Sequence, residues 1–165
     1  MSLIAVWSPL MSGSGSTMLA SSLPIVLAFE YQVKVLLAHG GHAGERVEQA
    51  FTYKQESLDY MTAFQDTGMD ALERLSTSGR LNPENVRNYT LPLLSDRLDL
   101  LCGPKPMSAD DINAARSGGD GKQAELMTRV MESSKRSYDI TVADAGNGVP
   151  GAADRAILQA ADLIV

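Results

Sequence analysis

The chain opens on an apolar run, Leu3 to Trp7, followed by a stretch rich in serine and glycine, Ser8 to Thr17. Beyond it Met18, Leu19, Ser22, Leu23, Val26 and Leu27 fall at helical spacing and predict a helix from Thr17 to Glu30. Pro24 lies inside that helix; it removes one hydrogen bond at a cost of roughly 3 kcal/mol and predicts a local bend. Gln32 then opens a branched, apolar run through Val33 and Ala38, which reads as a strand buried on both faces and ending at His39. A strand, a helix and a second strand within about forty residues form a right-handed crossover whose usual home is a parallel sheet.

The middle of the chain predicts short helices at 45–51, 57–64, 69–75 and 83–89, the last started by Asn82 as cap and Pro83 in the first turn. Tyr89 to Leu94 and Leu98 to Cys102 read as strands, and Ser108 with Asp111 as a helix start. Ser117 to Gly121 reads as a surface loop, Lys122 to Lys135 as an amphipathic helix, and Tyr138 to Asp144 as a strand ending in a carboxylate. A helix from Ala152 to Ala160 leads to a last strand at Leu163 to Val165. Strands starting near Leu3, Val33, Leu98, Ile140 and Leu163 alternate with helices, so the fold class is α/β, a mainly parallel sheet flanked by helices.

This order gives the stretch Ser8 to Thr17 its interest. Glycines between a strand and a helix let successive backbone N–H groups curl around an anion, and the helix adds the positive end of its dipole. Ser12, Gly13, Ser14, Gly15, Ser16 and Thr17 are the residues for such a phosphate cradle, with the Thr17 hydroxyl available to a magnesium ion; the same spacing also fits an ordinary strand-to-helix turn. A full phosphate loop has a lysine before its final hydroxyl residue, and here that residue is Ser16. Ligands of open parallel sheets gather at the carboxyl ends of the strands, where this loop, His39 to Gly41 and Asp144 all fall. Asp144 is a candidate metal-site carboxylate, or simply a polar residue starting a loop. His39 and His42 lack a third ligand at metal spacing and read as strand-end histidines, and Asp110 and Asp111 read as helix-start charges. Trp7 and the eight methionines read as core.

Composition narrows the partners. With 44% hydrophobic and 21% charged residues the chain is that of a folded globular protein, and 165 residues suit one domain. A net charge of -6 without a basic cluster argues against nucleic acid. The single cysteine, Cys102, sits in an apolar run, reads as a buried thiol and favours a reducing compartment. No apolar stretch reaches the roughly 18 residues of a membrane span, and no secretory signal is visible at the amino terminus.

Taken together, the strand Ile4 to Val6, the glycine loop, the strand Lys34 to Leu37, Tyr138 to Asp144, and Ala160 to Val165 resemble the ParA/MinD family of deviant P-loop ATPases over essentially the whole chain. Within it, Gly68 to Leu72, Gly79 to Glu84 and Leu98 to Pro104 are most similar to the CpaE/TadZ branch, associated with type IV pilus or tight-adherence secretion assembly. The resemblance implies a single P-loop NTPase-like domain over 1–165, with the family continuing beyond the point where this chain stops, and hence a truncated C-terminus. It implies ATP and Mg2+ as ligands held by Ser12 to Thr17, a metal held by Thr17 and Asp144, and a homodimer. It further implies protein partners in a pilus or secretion assembly and a cytoplasmic protein open to recruitment to the inner membrane or cell pole.

The departures from the family pattern are specific. The signature lysine is Met11, the second lysine is Ser16, and the carboxylate ending the second strand is His39, with Gly41 two residues on. Losing two charge-assisted contacts of roughly 1.5 to 3 kcal/mol each weakens binding by two or more orders of magnitude. The expectation is therefore a pseudo-ATPase with a degenerate Walker A loop. The alternatives are an active ATPase drawing a cation from Lys34, Lys54, Lys105 or Lys122, and a DNA-binding partition protein, which the acidic balance disfavours.

Overall fold

The computed structural model describes residues 1–11, 13–40, 47–51, 67–103 and 119–165. Strand β1 (Ser2–Ser8) leads through the glycine loop into α1 (Ser16–Glu30) and β2 (Val35–His39), with a short 3-10 turn at Val47–Ala50. Helix α2 (Gly68–Thr77), a 3-10 segment (Pro83–Tyr89), β3 (Leu91–Leu94) and β4 (Leu98–Leu100) follow, then α3 (Gly119–Ser137), β5 (Ile140–Asn147), α4 (Ala152–Ala160) and β6 (Leu163–Ile164). The six strands form one sheet in the order β3-β4-β2-β5-β1-β6. All neighbours are parallel except β3, which turns back on β4 through Ser95 to Arg97, where Asp96 has a φ of 59°. The five strands expected to share a sheet do so.

Alternation along the strands divides the core. Leu3, Ala5, Leu36, Ala38 and Ala143 face α2, α3 and α4, packing on Met69, Leu72, Met127, Val130, Met131 and Ile157. Val6, Val35, Leu37 and Val142 face the other way, onto Ala20, Leu23, Leu27 and Ala28 of α1. Trp7, expected as core, is half-buried against the first cluster, and Cys102 is buried as expected.

Some boundaries differ from the sequence reading. β2 begins at Val35, not at Gln32, because Gln32 adopts a left-handed φ of 56° as the chain reverses after α1. Gly119 to Gly121, expected as part of a surface loop, form the first turn of α3, where the amide donors have no helical partner in any case; Ser117 and Gly118 lie outside the described residues. β5 starts two residues late because Tyr138 instead turns into the core, donating its hydroxyl to Asp99 Oδ2 at 2.7 Å beside Thr90. Asn82 caps the 3-10 segment as expected, its side chain accepting from the Glu84 amide at 3.2 Å. The helices expected at 57–64 and from Ser108 lie outside the described residues.

Candidate functional site

The site is assembled where the parallel strands end. β1 and β5 run side by side with Val6 opposite Asp144, and β2 lies on the far side of β5 with His39 opposite Asp144. His39 at the end of β2, Asp144 and the strand that feeds the glycine loop therefore lie side by side; Asp144, expected to end its strand, sits three residues before the end of β5, which runs on to Asn147. Gly148, after β5, donates its amide to Ser8 O at 2.8 Å, tying the β5–α4 loop to the glycine loop.

Within the loop Gly13 and Gly15 have φ of 71° and 75°, a left-handed backbone that glycine adopts without penalty. Among the described residues nothing lies within 4 Å of a Cβ placed on either, so open space stands in front of both. Gly15 is the N-cap of α1, and its carbonyl accepts the Leu19 amide at 2.9 Å. Ser16 is buried at the helix start; its amide donates to Ser14 Oγ at 3.4 Å, and the Ser14 hydroxyl donates to Ser16 Oγ at 3.1 Å. The serines thus hold each other in the place where the family pattern has a lysine. Thr17 is half-buried in the first turn, and Ser12 lies outside the described residues.

Asp144 is buried, and its Oδ1 accepts from the Gly146 amide at 2.8 Å, which fixes the carboxylate near the end of β5. The left-handed glycines leave open space before the loop, and the Asp144 carboxylate is held in place beside it. The first strand, the glycine loop and α1 up to Phe29 supply no charged side chain, since no Lys, Arg, Asp, Glu or His occurs before Glu30. Met11 is 82% exposed and packs toward Gly148, while Leu10 and Val149 are 62% and 84% exposed. The rim of the loop is apolar where the pattern expects charge.

Sequence reasoning missed the buried His39–Glu48 contact behind this edge. His39 Nε2 lies 3.0 Å from Glu48 Oε1, and the same oxygen accepts the Gly103 amide at 2.8 Å. Burial works against the Glu48 charge, but the His39 bond and charge and the Gly103 amide outweigh it and hold the carboxyl at about 2. Burial first, then the Glu48 charge, pushes the Cys102 thiol up to about 11, which makes it a core thiol with no nucleophilic character at neutral pH. Asp154, buried at the start of α4, accepts the Gly151 amide at 2.8 Å and abuts Gly40 so closely that a Cβ there would collide with its carboxylate. His39 and Glu48 stand nine positions apart and Gly40 and Asp154 more than a hundred, so no local spacing could announce either contact.

The cations proposed from sequence fare unevenly. Lys34 precedes β2, at the opposite edge of the sheet, where its amide donates to Asp139 Oδ2. Lys122 is exposed in α3, and Lys54 and Lys105 lie outside the described residues. Arg155, not singled out from sequence, stands in the first turns of α4 and donates to Pro150 O at 2.8 Å in the loop after β5. A cavity of about 230 Å3 lined by Leu81, Arg129, Glu132, Ser133 and Arg136 lies on the α3 side and includes none of the loop residues.

No protein-family model matches the chain, and no curated protein does. Solved structures do. A ParA family ATPase from Chlorobium tepidum superposes with a TM-score of 0.69 at 13% identity, covering 99% of this chain and 58% of that one. The septum site-determining protein MinD of Pyrococcus horikoshii, solved with Mg-ADP, gives 0.65 at 16% identity over 99% and 56%. A putative plasmid partition protein of Borrelia burgdorferi bound to AMPPNP gives 0.61 at 15% identity over 99% and 59%. The chain thus spans somewhat more than half the length of the structures it matches. At such identities the likeness is one of fold, and this fold, a mostly parallel sheet flanked by helices with a glycine loop between the first strand and first helix, is that of the ParA/MinD ATPases.

Proposed function

We propose that this chain is a degenerate ParA/MinD-like domain that binds ATP and Mg2+ weakly or not at all, hydrolyses ATP negligibly, and acts through protein contacts. Its role is that of a localisation or assembly factor, with type IV (tight-adherence) pilus or secretion machinery as the best candidate through the CpaE/TadZ resemblance. The observation that carries the reading is the combination at the loop of a left-handed glycine backbone with a complete lack of charge. Gly13 and Gly15 keep the shape, while Met11 and the paired Ser14 and Ser16 replace the cations. Phosphoryl transfer depends on cations that neutralise developing charge, and an arginine finger alone contributes about 10³ to 10⁵ in rate. The exposed Leu10, Met11 and Val149 suit a protein contact better than a nucleotide phosphate.

The second reading is an active ATPase of the partitioning or positioning type, and Arg155 is the cation that favours it, since it follows the loop after β5 at the carboxyl edge. One experiment separates the two. ATP affinity and phosphate release are measured for the native chain, for M11K/S16K, and for the same pair with H39D and E48Q added, the last change preventing two carboxylates from meeting. Negligible turnover in the native chain with tighter ATP binding in the lysine variants is expected. Native turnover on the order of 1 s⁻¹ that disappears in Arg155→Ala overturns the pseudo-ATPase reading.

A further inference from the structure

Helix α3 repeats one charge pattern along its length and closes only the first copy of it. Glu125 with Arg129 and Glu132 with Arg136 have the same spacing of four and the same order, acid before base, the favoured one on a helix. Glu125 Oε1 accepts from Arg129 Nη2 at 2.7 Å. Among the described residues no hydrogen bond or ion pair joins Glu132 to Arg136, although one helical turn sets their Cβ atoms only about 5 to 6 Å apart. The open pair borders the cavity of about 230 Å3, lined from α3 by Arg129, Glu132, Ser133 and Arg136 and from the other side by Leu81.

Both walls are fixed by the fold. Ser133, 1% exposed, anchors the α3 side in the interior. On the other side α2 ends at Thr77, and Gly79 with a φ of 67° turns the chain so that the Arg80 and Leu81 amides both donate to Leu75 O, at 2.9 and 3.2 Å. Leu81 then packs, half-buried, against the core cluster that includes Met127 and Met131 of α3. Arg129 borders the cavity with its charge already compensated by Glu125, which leaves Glu132 and Arg136 as the groups a ligand would meet.

Charge and size together select the occupant. A dianion sets one of its charges against Glu132, and a diamine sets one against Arg136, whereas a zwitterion matches both. A carboxylate engages a guanidinium through two parallel hydrogen bonds, and an ammonium is a compact donor to a carboxylate. At about 30 Å3 per water the cavity has room for about eight waters, hence for a molecule of about eight non-hydrogen atoms, several times smaller than a nucleotide. We propose that this cavity binds a free α-amino acid with a small branched apolar side chain, its carboxylate on Arg136, its ammonium on Glu132 and its side chain on Leu81. The proposal rests on no reading of the glycine loop, none of whose residues line the cavity.

Titration of the isotope-labelled chain with L-valine, followed by amide NMR shifts, tests it. Saturable shifts centred on Leu81 and on Arg129 to Arg136 are expected, with a Kd on the order of 1 mM, the affinity within reach of so small a ligand. N-acetyl-valine, which lacks the ammonium, and valinamide, which lacks the carboxylate, should each bind about tenfold more weakly. L-valine should lose about the same factor with Glu132→Gln and with Arg136→Gln, while Thr128→Ala, on α3 outside the cavity, leaves the Kd unchanged. All three positions are exposed, and circular dichroism checks that each variant is folded. Absence of saturable shifts at these amides, binding of either blocked compound as tight as that of L-valine, or full affinity in Glu132→Gln or Arg136→Gln overturns the proposal.

Discussion

Glu48 shows how one residue couples the candidate site to stability. Its carboxylate joins β2, through His39, to the chain leaving β4, through the Gly103 amide. Its folded pKa of about 2 lies below the ordinary 4.5, so the unfolded chain takes up the proton first as pH falls. The stabilisation is fully present above pH 4.5 and is lost as the pH falls toward about 2; on the pKa difference it is on the order of 3 kcal/mol. Urea unfolding at pH 7 should therefore show Glu48→Gln less stable than the native chain by about 2 to 3 kcal/mol. At pH 3 the gap should narrow, because the native carboxyl has given up part of its advantage. An equal gap at both pH values would mean that the ionised form is not what the site stabilises.

At the scale of elements, two glycines at the same edge act for different physical reasons. Gly15 is needed for its backbone, with a φ of 75° and nothing near its missing Cβ; Gly40 is needed for space, because the Asp154 carboxylate of α4 occupies the position a Cβ would take. Gly15→Ala should cost about 1 to 2 kcal/mol, the left-handed penalty alone. Gly40→Ala forces α4 away from the end of β2 and should cost up to about 3 kcal/mol. Urea midpoints of the two variants, compared with Gly40→Ala combined with Asp154→Ala, measure this. The double change should recover part of the Gly40→Ala loss, and it should recover none if Asp154 is not the obstacle.

For the whole molecule, the distribution of charge matters more than its sum. The first 29 residues, which form β1, the loop and α1 up to Phe29, carry no charged side chain, and the acidic excess is carried by the rest of the chain. Nucleic acid is held by counterion release at clustered Lys and Arg, which this distribution does not offer. Titration of the chain with duplex DNA at low and at about 200 mM salt should show no salt-sensitive binding at micromolar concentrations. Binding with a steep salt slope would raise the disfavoured partition-type reading above the others.

The alternation of apolar runs with helical periods was enough to place β1, α1, β2, β5, α4 and β6, because each element must bury its own face and writes that need into local spacing. The glycine loop was legible for the same reason: its position between strand and helix and its unusual backbone are properties of adjacent residues. Boundaries were less legible where a distant partner competed for a residue, as when Tyr138 left the expected strand to reach Asp99. Strand order, the antiparallel return of β3, the His39–Glu48 pair and the fit of Asp154 against Gly40 were decided by tertiary structure alone. Each is a contact between segments whose separation along the chain carries no period, so its energy exists only once the sheet has brought the strand ends to one edge.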